Sequence, residues 1–315
     1  MKYCILVLVS LMHCIAGNAS NDLEIIEHGG RYGFADIDGN IIIPCEYDDV
    51  VSFSEGLAWV RKGRAQGFIN TSGEIVIPLI YDNAWEFSEG MAAVKKDGKW
   101  GFVNKSNQAV IPFVYDCAWS FSEGLAKVKK NGKCGYVDKS GDVVIPFIWD
   151  NTDGFAEDLA PVEKDEKWGY IDKSGDIVVP LVYDYTSRFS EGLAVVTKGE
   201  KWGYIDKTGD VVVPLNYDYT SRFSEGMAVV TKDEKSGYIN KSGKVVVPLI
   251  YDDTDQFSEG LARVGKDGKS GFVNKSGKIV IPMIYDGACW FIDGKAKVNK
   301  NGEWFYIDKS GNRVN

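Results

Sequence analysis

Histidine is nearly missing from this chain: its 315 residues include two, His13 and His28. A nucleophile activated by imidazole, or a zinc ion held by several imidazoles, therefore has almost nothing to be built from. Excess positive charge is missing as well, with 36 lysines and arginines against 45 aspartates and glutamates and a net charge of −9. Such a surface repels phosphate backbones, which removes nucleic acid from the expected partners. Cysteine is sparse, at six residues. Beyond the amino terminus no apolar run approaches the roughly 20 residues of a membrane-spanning helix. Apolar and aromatic residues, by contrast, make up 44% and 13% of the chain, enough for a packed interior and too much for a disordered one.

The first nineteen residues differ in kind from the remainder. Lys2, an apolar run from Tyr3 to Ile15 and the small residues Ala16, Gly17 and Ala19 follow the order of a secretory signal peptide, with cleavage after Ala19. The run is short for a membrane span. A retained anchor and lipidation at Cys14 are the alternatives, and the bulk of His13 just before that cysteine weighs against the second. Export is the expectation, to the periplasm, the cell surface or the surroundings. Removing residues 1–19 takes one lysine from a net charge of −9, leaving −10. Cys45, Cys117, Cys134 and Cys289 would then remain; a partial pairing such as Cys117 with Cys134 and free buried thiols both fit.

A single interval organises the rest of the chain. Gly33, Gly67, Gly101, Gly135, Gly169, Gly203, Gly237 and Gly271 are spaced by 34 residues, and Phe305 takes the ninth place. Pro44, Pro78, Pro112, Pro146, Pro180, Pro214, Pro248 and Pro282 keep the same interval and account for eight of the nine prolines. A fixed period of this size marks one supersecondary unit stacked on copies of itself, each burying a face it could not bury alone. The reading is a single domain over residues 20–315 made of nine units, 23–56, 57–90, 91–124, 125–158, 159–192, 193–226, 227–260, 261–294 and 295–315.

Within 193–226 the pattern is cleanest. Leu193 to Thr197 is short, apolar and rich in β-branched residues, as a strand requires. Asp97-Gly98, Asn131-Gly132 and Asp267-Gly268 occupy the place after it in other units, and Asx-Gly between apolar runs marks a tight hairpin. Trp202 to Ile205 gives a second strand. Asp206-Lys207-Thr208-Gly209 then has the residues of a type I turn followed by a left-handed position, and Asn107 replaces that glycine once. The third strand, Val211 to Pro214, is expected to stop at a proline that cannot donate. Each unit thus reads as a three-stranded antiparallel meander. A connection with Tyr-Asp at one end and Phe-Ser-Glu-Gly at the other leads to the next. Tyr217 and Phe223, present at one phase in nearly every unit, are expected to pack between neighbours. Ala194 and the marker glycines are expected where the next unit comes close, and Phe305 where no further copy docks.

Lys-Trp-Gly-Tyr-Ile-Asp-Lys-Ser-Gly at Lys167 to Gly175, its near copy at Lys201 to Gly209, and the Val-Val-Pro, Tyr-Asp and Phe-Ser-Glu-Gly elements resemble the bacterial WG-repeat (KWG-repeat) family along the whole chain after residue 19. The tryptophan stands at Trp100, Trp168, Trp202 and Trp304, with other residues in the remaining units. The resemblance implies a β-rich repeat protein, often exported, with no general catalytic function.

Identical spacing imposes nearly the same rotation at every junction, giving either an open solenoid or a closed propeller-like ring. Units shorter than the usual blade, whole at both ends, favour the solenoid. The reading is therefore all-β, tandem three-stranded meanders stacked as an open solenoid.

No catalytic residue, metal site or cofactor is predicted. Acids at the phases of Asp184 and Glu191 recur eight times each, whereas a paired-carboxylate glycosidase would use singular ones. The same acids could bind calcium in series, or the aspartate could cap a turn while the glutamate faces a lysine. Asn70, Asn104, Asn240 and Asn274 open glycosylation sequons and read as turn residues. Variation concentrates just after Tyr-Asp, and the candidate recognition residues are Trp85, Trp119, Tyr185, Arg188, Tyr219, Arg222 and Trp290. The expected function is an exported, non-catalytic scaffold that presents an extended surface to a protein or glycan. The alternative is a structural or calcium-stabilised envelope component without a ligand; a glycan hydrolase is the third reading.

Overall fold

In a computed structural model of the protein, residues 23–314 are described; residues 1–19, expected to be a signal peptide, and Cys14 among them lie outside. The chain divides into two compact units, Met1–Gly154 and Phe155–Asn315. Both are built alike: every regular element among the described residues is a β-strand, and the sheets are antiparallel meanders, one of three strands and eight of four. Among the described residues no helix is long and apolar enough to cross a membrane.

The sheet of Tyr185 to Tyr217 shows how the sequence makes the unit. Leu193–Lys198 pairs with Lys201–Asp206, from Leu193 opposite Asp206 to Lys198 opposite Lys201. The hairpin between them holds Gly199 at φ 58° and Glu200 at φ 65°, and Asp97-Gly98 elsewhere holds 51° and 80°, the double positive φ that a tight hairpin turn demands. In the next turn, Asp206 Oδ1 accepts hydrogen bonds from the Thr208 backbone N–H at 2.9 Å and its hydroxyl at 2.6 Å, while Gly209 takes φ 89°. The sequon asparagines do the same work: Asn70 Oδ1 accepts from Ser72 N–H at 3.1 Å and Glu74 N–H at 2.9 Å. Asn107, standing where a glycine recurs, has φ 58°.

Three local readings are corrected. The third strand does not end at its proline but runs Val211–Tyr217. Its register against the second strand shifts between Trp202↔Tyr217 and Tyr204↔Val213, so Pro214 sits in a bulge where no N–H is needed. Gly203 faces that bulge, and a Cβ there would lie 2.5 Å from the Val213 carbonyl oxygen. The marker glycine is thus required by its own sheet and not by the next copy. In the last sheet the third strand, among the described residues, pairs through Tyr306↔Val314 and Ile307↔Arg313. Phe305 packs its ring on Tyr285 at 6.3 Å instead. Finally, the connection after Tyr-Asp is not all loop. Tyr219–Thr220 pairs with Val230 and Thr231, adding a short leading strand to the following meander. The expected three-stranded meander is thus four-stranded in eight of the nine sheets among the described residues.

Neighbouring sheets are joined by a dry layer. Leu193, Val195, Tyr204 and Val213 of one sheet meet Phe223, Ala228, Val230 and Ile239 of the next, all at most 8% exposed. The rings of Tyr204 and Phe223 lie 4.9 Å apart, and Phe68–Phe87, Phe102–Phe121, Tyr238–Phe257 and Phe272–Phe291 repeat the contact at 4.9–5.1 Å. Burying one such phenylalanine is worth about 1.5–3 kcal/mol. Tyr217 is half-buried and Phe223 is 4% exposed, so the predicted aromatic layer is present.

Two polar staples rim that layer. Glu191, at φ 55°, accepts from the Gly226 N–H at 3.0 Å and from Lys241 Nζ at 2.9 Å, both in the following repeat or beyond. The set Glu89, Gly124 and Lys139 makes the same pattern, and Ser190 Oγ donates to the Phe223 carbonyl at 3.1 Å beside it. Asp218 accepts from Lys201 Nζ at 2.6 Å on one sheet and from the Asp233 N–H at 2.8 Å in the next sheet's hairpin. The hydrogen bond from Lys201 holds the Asp218 carboxyl below its ordinary value; Asp116, Asp184 and Asp252 are lowered in the same way. Burial pulls Glu191 upward, but the donors Lys241 and Gly226 outweigh it and its pKa is lowered too.

Two outcomes are expected. Gly203→Ala should cost about 1–3 kcal/mol by overpacking, read as a lower urea midpoint. Because the staple carboxylates titrate lower folded than unfolded, their contribution is complete above the unfolded values and is lost as pH falls through the folded ones. The melting temperature should hold down to about pH 5 and drop below about pH 4, where scanning calorimetry would register it.

Candidate binding groove

Of the seven predicted recognition residues, Tyr185, Tyr219 and Arg222 line one groove. Tyr185 and Tyr219 lead the short strands and are 45% and 48% exposed, because each strand turns its threonine inward and its tyrosine out; Thr220 is 2% exposed. Pairing sets Tyr185 opposite Thr197 and Thr197 opposite Trp202, so the three residues share one rung and one face. The Trp202 ring stands between the tyrosines, 5.8 Å from Tyr185 and 5.3 Å from Tyr219. This aromatic row lines a groove of about 280 Å³ within Phe155–Asn315, together with Ser221, Arg222 and Gln256.

The floor of the groove is fixed. Tyr204 donates its hydroxyl to the Ser221 carbonyl at 2.7 Å, and burial pushes that hydroxyl's pKa up. Ser221 Oγ donates to the Arg222 carbonyl at 3.0 Å and accepts the Val229 N–H at 3.0 Å. Its one hydroxyl proton is thereby committed. Gln256 donates to the same Arg222 carbonyl at 3.4 Å. Left open to a ligand are the Arg222 guanidinium, the Trp202 indole N–H and the two tyrosine hydroxyls. Among the described residues no ion pair engages Arg222.

The other predicted residues lie elsewhere. Arg188 is half-buried and Trp290 is 48% exposed, and neither lines the groove. In Met1–Gly154, Trp85 stacks on Trp100 at 6.2 Å and donates its indole N–H to the Ala118 carbonyl at 3.0 Å. Trp119 carries the Lys127 ammonium 4.0 Å above its ring. Trp202 and Gln256 were not among the predicted residues. The missing signal was the rung: without the short strand, nothing in the sequence sets Tyr185 beside Trp202. The same rung reads Asp253, Gly265 and Ser270 two repeats later, where Arg263 pairs with Asp253 and Asp255 at 2.6 Å. The aromatic row is therefore a local departure from the repeat.

Cys45, Cys117, Cys134 and Cys289 are all free. Cys117 and Cys134 flank Lys129 on one rung, two strand spacings or about 9.5 Å apart, beyond the reach of a disulfide. Among the described residues no group of three or more His, Cys, Asp or Glu is placed to hold a metal ion. The regular acids face lysines and backbone N–H groups, and the turn that the aspartate caps belongs to the next sheet.

The model of the WG-containing repeat matches residues 32–64, 67–100, 100–134, 135–168, 168–202, 202–235, 237–269 and 271–304. The chain belongs to this WG-repeat family. No curated protein matches it. Among solved structures, the WG-repeat chain is similar to a eukaryotic initiation factor, with 10% identity and a TM-score of 0.60 over 94% of this chain and 96% of that one. Dihydro-heme d1 dehydrogenase NirN in complex with DHE is also similar, with 12% identity and a TM-score of 0.45 over 97% and 75%. The surface component PorZ of Porphyromonas gingivalis shares 9% identity, with a TM-score of 0.34 over 91% and 44%. The first likeness is one of fold alone, and the other two carry no argument.

With its carboxylates stapled in this way, the protein should melt at the same temperature in millimolar calcium and in excess chelator. A calcium-dependent rise of several degrees would show that the staples exchange lysine for metal.

Proposed function

We propose that this WG-repeat protein is an exported, non-catalytic scaffold that binds a sugar chain along Tyr185, Trp202 and Tyr219. The observation that carries the reading is the row of three rings over a shallow groove. The C–H face of a pyranose is a flat apolar patch that stacks on such rings, and the hydroxyls at its edge can reach the open donors around them. Of the two ligand classes expected from the sequence, a glycan suits this groove better than a protein. A stable protein interface buries about 800 Å² per partner, whereas this groove is near the low end of the roughly 300–1,000 Å³ of small-ligand sites. The repeated carboxylates are engaged between sheets, which favours a framework role for them over hydrolysis. Export rests on the order of residues 1–19, and places the protein in the periplasm, at the cell surface or outside.

Intrinsic tryptophan fluorescence titrated with soluble polysaccharides tests the binding. Trp202→Ala and Tyr219→Ala should each weaken it five- to tenfold, about 1–1.4 kcal/mol, while Trp85→Ala should not. Equal binding by all three variants would dismiss the groove. Export is checked separately by mass spectrometry of the native protein, whose first residue should be Ser20.

A further inference from the structure

Resting on that sugar-binding reading, we propose that the groove selects chains of carboxylated sugars, uronates, with the Arg222 guanidinium receiving the carboxylate. Arg31, Arg61, Arg263 and Arg313 each have a carboxylate partner at 2.6–3.4 Å. Arg222 has none among the described residues, although acids lie near it in sequence. Each of those is committed: Asp218 to Lys201 and the Asp233 N–H, Glu225 to Lys275 and the Gly260 N–H. Among the described residues no aspartate or glutamate lines the groove. Its one formal charge is therefore a cation without a counterion, inside a chain whose net charge is −9.

Placement fits the ligand. A uronate carries its carboxylate at the edge of the pyranose, so the ring can stack on Trp202 and the tyrosines while the carboxylate projects sideways to a guanidinium. The Arg222 backbone is held by Ser221 and Gln256, at 3.0 and 3.4 Å, which fixes the root of the side chain before a ligand arrives. The planar fork of arginine matches a carboxylate with two parallel N–H···O bonds, a geometry that lysine lacks. At the same phase stand Arg188 in the preceding repeat, which does not line the groove, and Gln256 and Trp290 in the two that follow.

Isothermal titration with oligogalacturonate and with its carboxyl-reduced counterpart, on the full protein, separates the two readings. The unaltered protein should bind the acidic oligomer at least tenfold more tightly than the reduced one. Arg222→Gln should bring that ratio close to one, Arg222→Lys should recover part of it, and Arg61→Gln should leave it as it was; the melting temperature of each variant verifies folding. Equal affinity for both oligomers, or a preference that survives Arg222→Gln, overturns carboxylate selection and leaves sugar binding standing. Binding to neither oligomer, nor to alginate oligomers run in parallel, removes both.

Discussion

Among the described residues no helix covers the apolar faces of the sheets, so within each compact unit the contact between one sheet and the next is the interaction on which all else depends. Tyr204 against Phe223, with Ala228 leaving room for the approach, is the unit of that contact, and its 4.9 Å separation recurs along the chain. Hydrophobic burial is non-directional, and alone it would let sheets slide over one another. The staples remove that freedom. Glu191 and Asp218 reach to fixed backbone N–H groups of a neighbouring repeat, and hydrogen bonds are directional where burial is not.

The polar groups also settle what the abundant acids are for. An exposed lysine–carboxylate pair contributes little on its own, about 0–1 kcal/mol. The staples add a backbone N–H to each pair, so the carboxylate satisfies a donor in a turn that would otherwise face water. Their worth is mainly in register. Glutamate at φ 55° is an unusual residue in the left-handed region, and here its side chain is bound at the far end.

Much of this was legible in the sequence. The Asx-Gly hairpins, the Asp206-type turns and the aromatic layer follow from residues with narrow conformational or solvation preferences at a strict interval. What could not be read has a common cause: it depends on pairing across strands. Gly203 announces a close approach but not by what, and the answer, a bulge at Pro214 in its own sheet, is a matter of register. The two-residue strand Tyr219–Thr220 has too few residues to show alternation, and without it the rung joining Tyr185 to Trp202 is invisible. Variation after Tyr-Asp located Tyr185, Tyr219 and Arg222, while Arg188, Trp85, Trp119 and Trp290 share that variation without sharing the groove.

Junctions made from the same few contacts have an evolutionary corollary. Excising or duplicating 34 residues at any matching point would splice a Phe-Ser-Glu-Gly corner onto the aromatic rung it already fits, so copies can be gained or lost without redesigning a seam. The aromatic row is the exception. It draws Tyr185 and Trp202 from one sheet and Tyr219 from the next, with Arg222 close behind, and a splice between those sheets would scatter it. The frame tolerates reshuffling of its modules; the groove ties two neighbours into a single heritable block.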